Sequence, residues 1–334
     1  MSFAADLYDY NLPPELIAQT PTERREDSRL LILDRKKDIL EHKHFRDILD
    51  YLTPKDLLVF NDTKVFPARL IGKKEDTSAK CEVFLLKQLA DKQWEALVKP
   101  GRRLPPGSVV RFGAEFSATV GEVLSDGRRR VEFDCAGDFW EQLNRYGQTP
   151  LPPYIKTAAS TDRYQTVYAR HIGAAAAPTA GLHFSTELLG KIKAKGIPTA
   201  FVTLHVGLGT FQPLQTADIR DHHIHTEEYV LPRETVSAIE ACRARKGRVV
   251  AIGTTAARVL ETPATTHGQT NIYIYPGYQF KTIDALVTNF HLPRSTLLLL
   301  VSAFAGREKI LAAYQEAIRQ KYRFFSFGDA MLII

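Results

Sequence analysis

The stretch Gln148–Tyr154 reads QTPLPPY, and the chain changes rhythm on either side of it. Three prolines in seven residues exclude both a helix interior and a central strand, so this segment is expected to be a linker. Before it, from about residue 67, come CEVFLL, QWEALV, SVVRFG, FSATVGEVL and RRVEFD, short runs rich in β-branched and aromatic residues. Turns such as KPGRRLPPG and SDGRRR separate them. Strands at this spacing predict a small all-β barrel over residues 67–154. After the linker, helix and strand signals alternate. STELLGKIKAKG (Ser185–Gly196) reads as a helix with Ser185 as N-cap and Gly196 just past its end. RETVSAIEACRARKG is a second helix, AARVLE begins a third, and LLLLVSAF falls in another. Between them lie the strand-like runs PTAFVTLHV, RVVAIG and DALVTNF, an order that predicts an α/β domain with parallel pairing. Residues 1–66, ending in the strand DLLVF, are assigned to the same domain. The expected organisation is therefore a large α/β domain (1–66 and 155–334) interrupted by an inserted β-barrel.

Composition sets wide bounds. The 334 residues are 44% hydrophobic and 25% charged, enough for one large or two medium domains. A net charge of +6 suits a polyanionic partner without requiring one. Three cysteines, an odd number with no C-x-x-C, argue against a disulfide framework or a thiolate zinc site and for a reducing compartment. The opening MSFAADLYDY is not a signal peptide, and the longest apolar run, Leu297–Ala305, is too short to span a bilayer. A cytoplasmic, monomeric protein without membrane contact is expected.

In α/β architectures, ligands gather where strands end. TAFVTLHV ends in His205 and runs into GLGTFQP, where Gly207 and Gly209 would let a ligand approach the backbone and Thr210 and Gln212 offer hydrogen bonds. A plain tight turn explains the same residues. RVVAIG ends in Gly253, Thr254 and Thr255 and enters a helix carrying Arg258 and Glu261. The free N–H groups of such a helix start favour carboxylate, phosphate or base edges, unless a threonine merely caps its own helix. No P-loop and no G-x-G-x-x-G follows a strand. Asn289 and His291 lie at another strand-to-helix junction, and PTAGLHF places Thr179, Gly181 and His183 before a helix start. Each histidine has a structural reading beside the catalytic one. Convergence of these loops on one rim would make a site.

DHHIHTEEYV (Asp221–Val230) packs three histidines, an aspartate and two glutamates into ten residues. As one strand it would put His223, His225, Glu227 and Tyr229 on one face. Three readings compete: a three-ligand zinc site, a proton-transfer site, and an amphipathic strand with a solvated polar face.

Taken together, these segments resemble one family. YDYNLPPELIAQTPTERREDSRLL, LVFNDTKVFPARL, AAPTAGLHF, TLHVGLGTFQP, DHHIHTEEY, GTTAARVLE, DALVTNFHLPRSTLLLLVSAFAG and YRFFSFGDAM are similar to blocks of the S-adenosylmethionine:tRNA ribosyltransferase-isomerases of queuosine biosynthesis. The likeness runs in order from about Tyr8 to Met331. It implies a large, barrel-like α/β domain with an inserted small β-barrel. It also implies transfer and isomerisation of the ribosyl part of S-adenosylmethionine onto 7-aminomethyl-7-deazaguanine at the tRNA wobble position. Epoxyqueuosine forms, adenine and methionine leave, and the donor is consumed as co-substrate with no cofactor or metal. The family pattern D-H-x-x-H-[ST]-E matches Asp221, His222, His225, Thr226 and Glu227, and leaves His223 outside it. Ala256 and Ala257 depart from the serine and β-branched residue usual there, with Arg258 and Glu261 retained.

Roles follow as expectations from that chemistry. His225 and Glu227 are the first candidates for acid/base work, with His183, His205 and His291 as competing bases. Gly207, Gly209, Thr210, Gly253, Thr254, Thr255, Arg258 and Asn289 are candidates to hold the donor. Asn61, Lys64, Arg69, Arg323 and the turn Arg102-Arg103 are candidates to contact tRNA, as is the turn Arg128–Arg130. A non-catalytic tRNA-binding module and a metal-dependent hydrolase using residues 221–227 remain as rivals.

Overall fold

The computed structural model describes residues 3–124, 127–156, 163–207, 214–263 and 265–334. By contact the chain divides into two compact units. One comprises Met1–Lys64, Pro152–His171 and Ala177–Ile334; the other comprises Val65–Leu151 and Ile172–Ala176.

In chain order, β1 (Arg29–Asp34), β2 (Ile39–His44), β3 (Leu57–Asn61) and the short β4 (Thr63–Val65) come first. The smaller unit follows with β5 (Arg69–Lys74), β6 (Lys80–Ala90), β7 (Gln93–Lys99), β8 (Val109–Gly113), β9 (Phe116–Val123), β10 (Arg129–Cys135), α1 (Phe139–Tyr146) and β11 (Gly147–Gln148). After β12 (His171–Ala174) come α2 (Thr186–Ala194), β13 (Thr199–Leu204), β14 (Glu227–Val230), α3 (Arg233–Ala244), β15 (Val249–Ile252) and α4 (Thr254–Glu261). β16 (His267–Thr270), β17 (Ala285–Asn289), α5 (Thr296–Ala305), α6 (Arg307–Arg319) and β18 (Ala330–Ile333) complete the chain.

In the smaller unit β5, β6, β7, β10, β9 and β8 pair in that order, and β8 returns to β5, closing a six-stranded antiparallel barrel. The sequence alternates as a one-sided strand must: in QWEALVK, Trp94, Ala96 and Val98 are buried and the residues between them are not. Trp94 packs against Phe66, Phe139 and Trp140, with ring centroids 5.3, 5.8 and 5.9 Å away. Asp138 caps α1 by accepting from the Glu141 N–H at 2.9 Å.

The larger unit is built on a nine-stranded mixed sheet in the order β16-β14-β13-β3-β15-β17-β18-β1-β2. The four central strands β13, β3, β15 and β17 run parallel. They read as unbroken apolar runs because both faces are covered. Leu57, Val59, Val249, Ala251 and Leu286 face one core, with the apolar sides of α4, α5 and α6. Leu58, Phe60, Val250, Ile252 and Val287 face the other, with Phe45, Phe184, Leu188 and Ile192. Uniform parallel pairing is corrected at the flanks. β17–β18, β13–β14, β14–β16 and β1–β2 are antiparallel, and for β1–β2 the cause is the short turn that joins them.

Ser185 caps α2 by accepting from the Leu188 N–H at 3.0 Å, and Gly196 takes a φ of 73° beyond its end. No described helix is long and apolar enough to cross a membrane.

Candidate active site

The four parallel strands deliver their carboxyl ends to one edge of the sheet. Asn61 lies beside Val202 near the end of β13, and Ile252 is flanked by Phe60 and Val287. Asn61 was expected to meet donor or RNA. Instead it is fully buried: its Oδ1 accepts from the Thr63 and Leu204 N–H groups and its Nδ2 donates to the Leu204 carbonyl. The amide clasps β3 to β13 from within the core, buried away from any RNA.

A cavity of about 650 Å³, open to solvent, borders β14, α4 and α5. Gly207, His222, His223, His225, Glu227, Arg258 and Thr296 supply its polar lining, and Ile224, Ile272, Ile274, Leu297 and Leu300 its apolar wall. Arg258 and Glu227 form an ion pair with both side chains buried. Glu227 Oε1 accepts from the Gly207 N–H at 3.0 Å, while Oε2 takes the Nη1 of Arg258. Arg258 Nε donates to the Ile272 carbonyl at 3.3 Å, whereas its Nη2 is enclosed without a partner.

The stretch expected to form one strand is three pieces. Ile219–Asp221 is a 3-10 turn, capped by Asp218 accepting from the Arg220 N–H. Residues 222–226 are irregular, and β14 begins only at Glu227. His223 and His225 therefore do not share a strand face with Glu227, although all three line the cavity. Among the described residues no hydrogen bond joins His225 to Glu227, and no three His, Cys, Asp or Glu side chains converge as a metal site.

α4 starts without a side-chain cap, because its N-cap is Gly253, at a φ of 93° that favours glycine. Neither Thr254 nor Thr255 caps the helix, and the buried Thr255 Oγ1 makes no hydrogen bond. All eight residues of α4 are buried, including Glu261. That carboxylate accepts from the N–H groups of Lys281, Thr282 and Ile283 at 2.8–3.0 Å and from the Tyr278 hydroxyl at 3.1 Å. It holds the 278–283 loop.

His183 and His291 are enclosed. Asn289 Nδ2 donates to His183 Nε2 at 3.2 Å and to the Phe325 carbonyl at 3.0 Å, so Nε2 is the acceptor nitrogen. Nδ1 then carries the proton and donates to Ser28 Oγ at 2.7 Å. The ring stacks on Phe45 at 4.9 Å. Burial, helped by Arg323 and Arg25, pushes its pKa down to about 3. Gly181, two residues earlier, has no room for a Cβ, which would meet the Tyr168 hydroxyl at 2.0 Å. His291 Nε2 meets Thr288 Oγ1 at 2.7 Å, and burial again lowers its pKa to about 3. His205 is half-buried, with Nδ1 2.8 Å from Thr63 Oγ1 and its pKa lowered mainly by burial. Asn289 keeps one unpartnered atom, Oδ1.

The remaining expected contacts are dispersed. Lys64, Arg102 and Arg103 are exposed, and Arg69 pairs with Glu82 at 2.7 Å. Arg128 pairs with Glu95, and Arg130 with Glu122. Arg323 donates to the carbonyls of Thr20 and Phe327, tying loops together. Gly209, Thr210 and Gln212 lie outside the described residues.

The family model for queuosine biosynthesis proteins matches residues 5–333, nearly the whole chain. The chain belongs to the queuosine biosynthesis family. Among solved structures it is similar to the S-adenosylmethionine tRNA ribosyltransferase of Thermotoga maritima, known from a crystal structure at 2.00 Å resolution. The two share 40% sequence identity and a TM-score of 0.57, over 98% of this chain and 100% of that one. In this queuosine biosynthesis protein, sequence reasoning missed the apolar wall of the cavity. Ile272, Ile274, Leu297 and Leu300 carry no signal that separates a cavity wall from core. It also missed Ser28 as the partner of His183, since 155 residues separate the two.

Proposed function

We propose that this protein transfers and isomerises the ribosyl group of S-adenosylmethionine onto the aminomethyl group of 7-aminomethyl-7-deazaguanine at the tRNA wobble position. Epoxyqueuosine-tRNA forms, and adenine and methionine leave. The donor is consumed as co-substrate, without a further cofactor. The carrying observation is the open cavity at the carboxyl end of the sheet, which combines accessible histidines with a buried arginine–glutamate pair. Family membership and the likeness to the Thermotoga ribosyltransferase support the same reading.

The sulfonium acidifies the neighbouring 5′ carbon of the donor. A general base there removes a proton, ring opening expels adenine, and the RNA amine attacks the opened ribosyl unit. Positioned bases contribute about 10²–10⁴-fold to such steps. Glu227 already has both oxygens engaged and acts by holding Arg258 and Gly207. His225, exposed on the cavity lining, is assigned as the base. His183 has both ring nitrogens committed and holds Asn289 in place. The exposed Arg102 and Arg103 are assigned to the RNA backbone.

The test is incubation with S-adenosylmethionine and an anticodon stem-loop carrying the deazaguanine, with and without chelator. Adenine and methionine should appear only when the RNA is present, and chelator should change nothing. Release independent of RNA, or binding without release, would overturn the reading. Activity lost to chelator would favour a metal-dependent enzyme instead.

A further inference from the structure

Arg258 is locked on two sides and unspent on the third. Nη1 is held by Glu227, Nε by the Ile272 carbonyl, and Nη2 is enclosed with no acceptor among the described residues. The lock is itself braced, because the other Glu227 oxygen is fixed by the Gly207 N–H. Arginine does not shed its charge in proteins, so the free edge cannot be relieved by deprotonation. A buried donor left without an acceptor is costly, and more so when it is charged. Arg258 lines the cavity, and its unpartnered edge is hydrogen-bonding capacity held in a fixed orientation there.

The rest of the lining says what that is. Among the described residues Glu227 is its only carboxylate, and both oxygens are engaged. The remaining ionisable groups are His222, His223 and His225, which add positive charge or none. Ile272, Ile274, Leu297 and Leu300 form an aliphatic wall beside them. A fixed guanidinium next to an aliphatic wall, with no spare carboxylate among the described lining residues, complements a carboxylate carried on a short chain. The methionyl end of the donor carries such a group: an α-carboxylate beside its α-ammonium, joined through two methylenes to the sulfonium.

We propose that the free Nη2 edge of Arg258 receives the α-carboxylate of the donor, with the Ile272–Leu300 wall along its methylene chain. Glu227 is then a positioning residue, fixing the guanidinium so that its free edge is available before the donor arrives. The proposal rests on S-adenosylmethionine being the donor and goes further by assigning the group that recognises its amino-acid end.

The experiment compares S-adenosylmethionine with its decarboxylated analogue, which lacks only the carboxylate. Binding is measured at equilibrium with a stem-loop carrying plain guanine, so that no turnover intervenes; turnover is measured separately with the deazaguanine stem-loop. Wild-type enzyme should bind the decarboxylated donor roughly 10- to 100-fold more weakly, with the loss in KM rather than kcat. Arg258→Lys, and the paired change Arg258→Met with Glu227→Leu that leaves no orphaned charge, should bring the two donors close to equal affinity. Glu227→Gln should narrow the preference less than Arg258→Lys. If Arg258→Lys does not fold, the paired variant Arg258→Met, Glu227→Leu decides the role of Arg258 in its place. Equal binding of both donors by wild-type enzyme overturns the carboxylate assignment, even where both donors release adenine and the proposed reaction stands. A preference that survives in folded Arg258→Lys overturns the role of Arg258. Preferential binding of the carboxylated donor without adenine release on any RNA would keep this assignment and sink the proposed reaction.

Discussion

His183 and His291 lie enclosed near the carboxyl edge of the sheet, while His222, His223 and His225 line an open cavity. The side chain is the same and the consequences are opposite. In the enclosed pair the ring nitrogens face Ser28, Asn289 and Thr288, and burial drives both pKa values down to about 3. In the cavity, His225 is exposed and free of any bond to Glu227. Histidine content is therefore a poor guide to the number of available bases. Enclosure makes a histidine a strut, and access leaves it able to exchange protons.

The comparison breaks most directly at His225. His225→Ala should lower turnover by roughly 10²–10⁴-fold with the thermal transition unchanged, as steady-state adenine release and calorimetry would show. Near-wild-type turnover would remove it as the base. His183→Gln should do the reverse, costing stability while turnover per folded molecule stays within a few-fold. A folded variant without activity would return His183 to the chemistry.

Acid sharpens the same contrast. Both enclosed histidines have folded pKa values below the ordinary 6.5, so beneath that pH the unfolded chain binds protons that the native sites refuse. Their contribution is complete above about pH 6.5 and is lost as the pH falls toward 3, by up to about 1.4 kcal/mol per pH unit for each ring. Chemical denaturation between pH 7 and 4 should show this slope, flattened in the double variant His183→Gln, His291→Gln. An unchanged slope would mean that the rings titrate normally. A smaller effect, about 1–3 kcal/mol, is expected for Asn61→Ala, which leaves the Leu204 and Thr63 groups without their partner. Denaturant midpoints would measure it. Smallest of all, Arg102→Ala and Arg103→Ala should each reduce the salt dependence of RNA affinity by about one phosphate contact. Titrations at several salt concentrations would read this, and unchanged slopes would remove that turn from the RNA interface.

The α/β alternation was legible because buried parallel strands and capped helices leave local marks: unbroken runs such as LLVF and VVAI, Ser185 before α2, Gly196 after it. The barrel strands showed equally well through their period of two. DHHIHTEEYV misled because its polar residues alternate like a strand, while the turn at Ile219–Asp221 and the irregular residues 222–226 postpone β14 to Glu227. Proximity to a cavity was legible for Gly207, His225, Glu227 and Arg258. The commitments of Asn61, Arg323 and His183 were not, since each depends on partners far away in sequence or on backbone groups that no side-chain pattern reveals.

α4 carries a consequence for engineering. Its eight buried residues put the uncapped threonine end and the arginine on one rigid rod, with about 6 Å of rise from Thr254 to Arg258. Removing one residue between them would shorten that gap by only about 1.5 Å, but it would swing every later side chain by about 100°. Arg258 would turn away from Glu227, and Glu261 would drop the loop it holds. The helix thus acts as a gauge block, whose length cannot be edited without moving Arg258 and Glu261 off their partners.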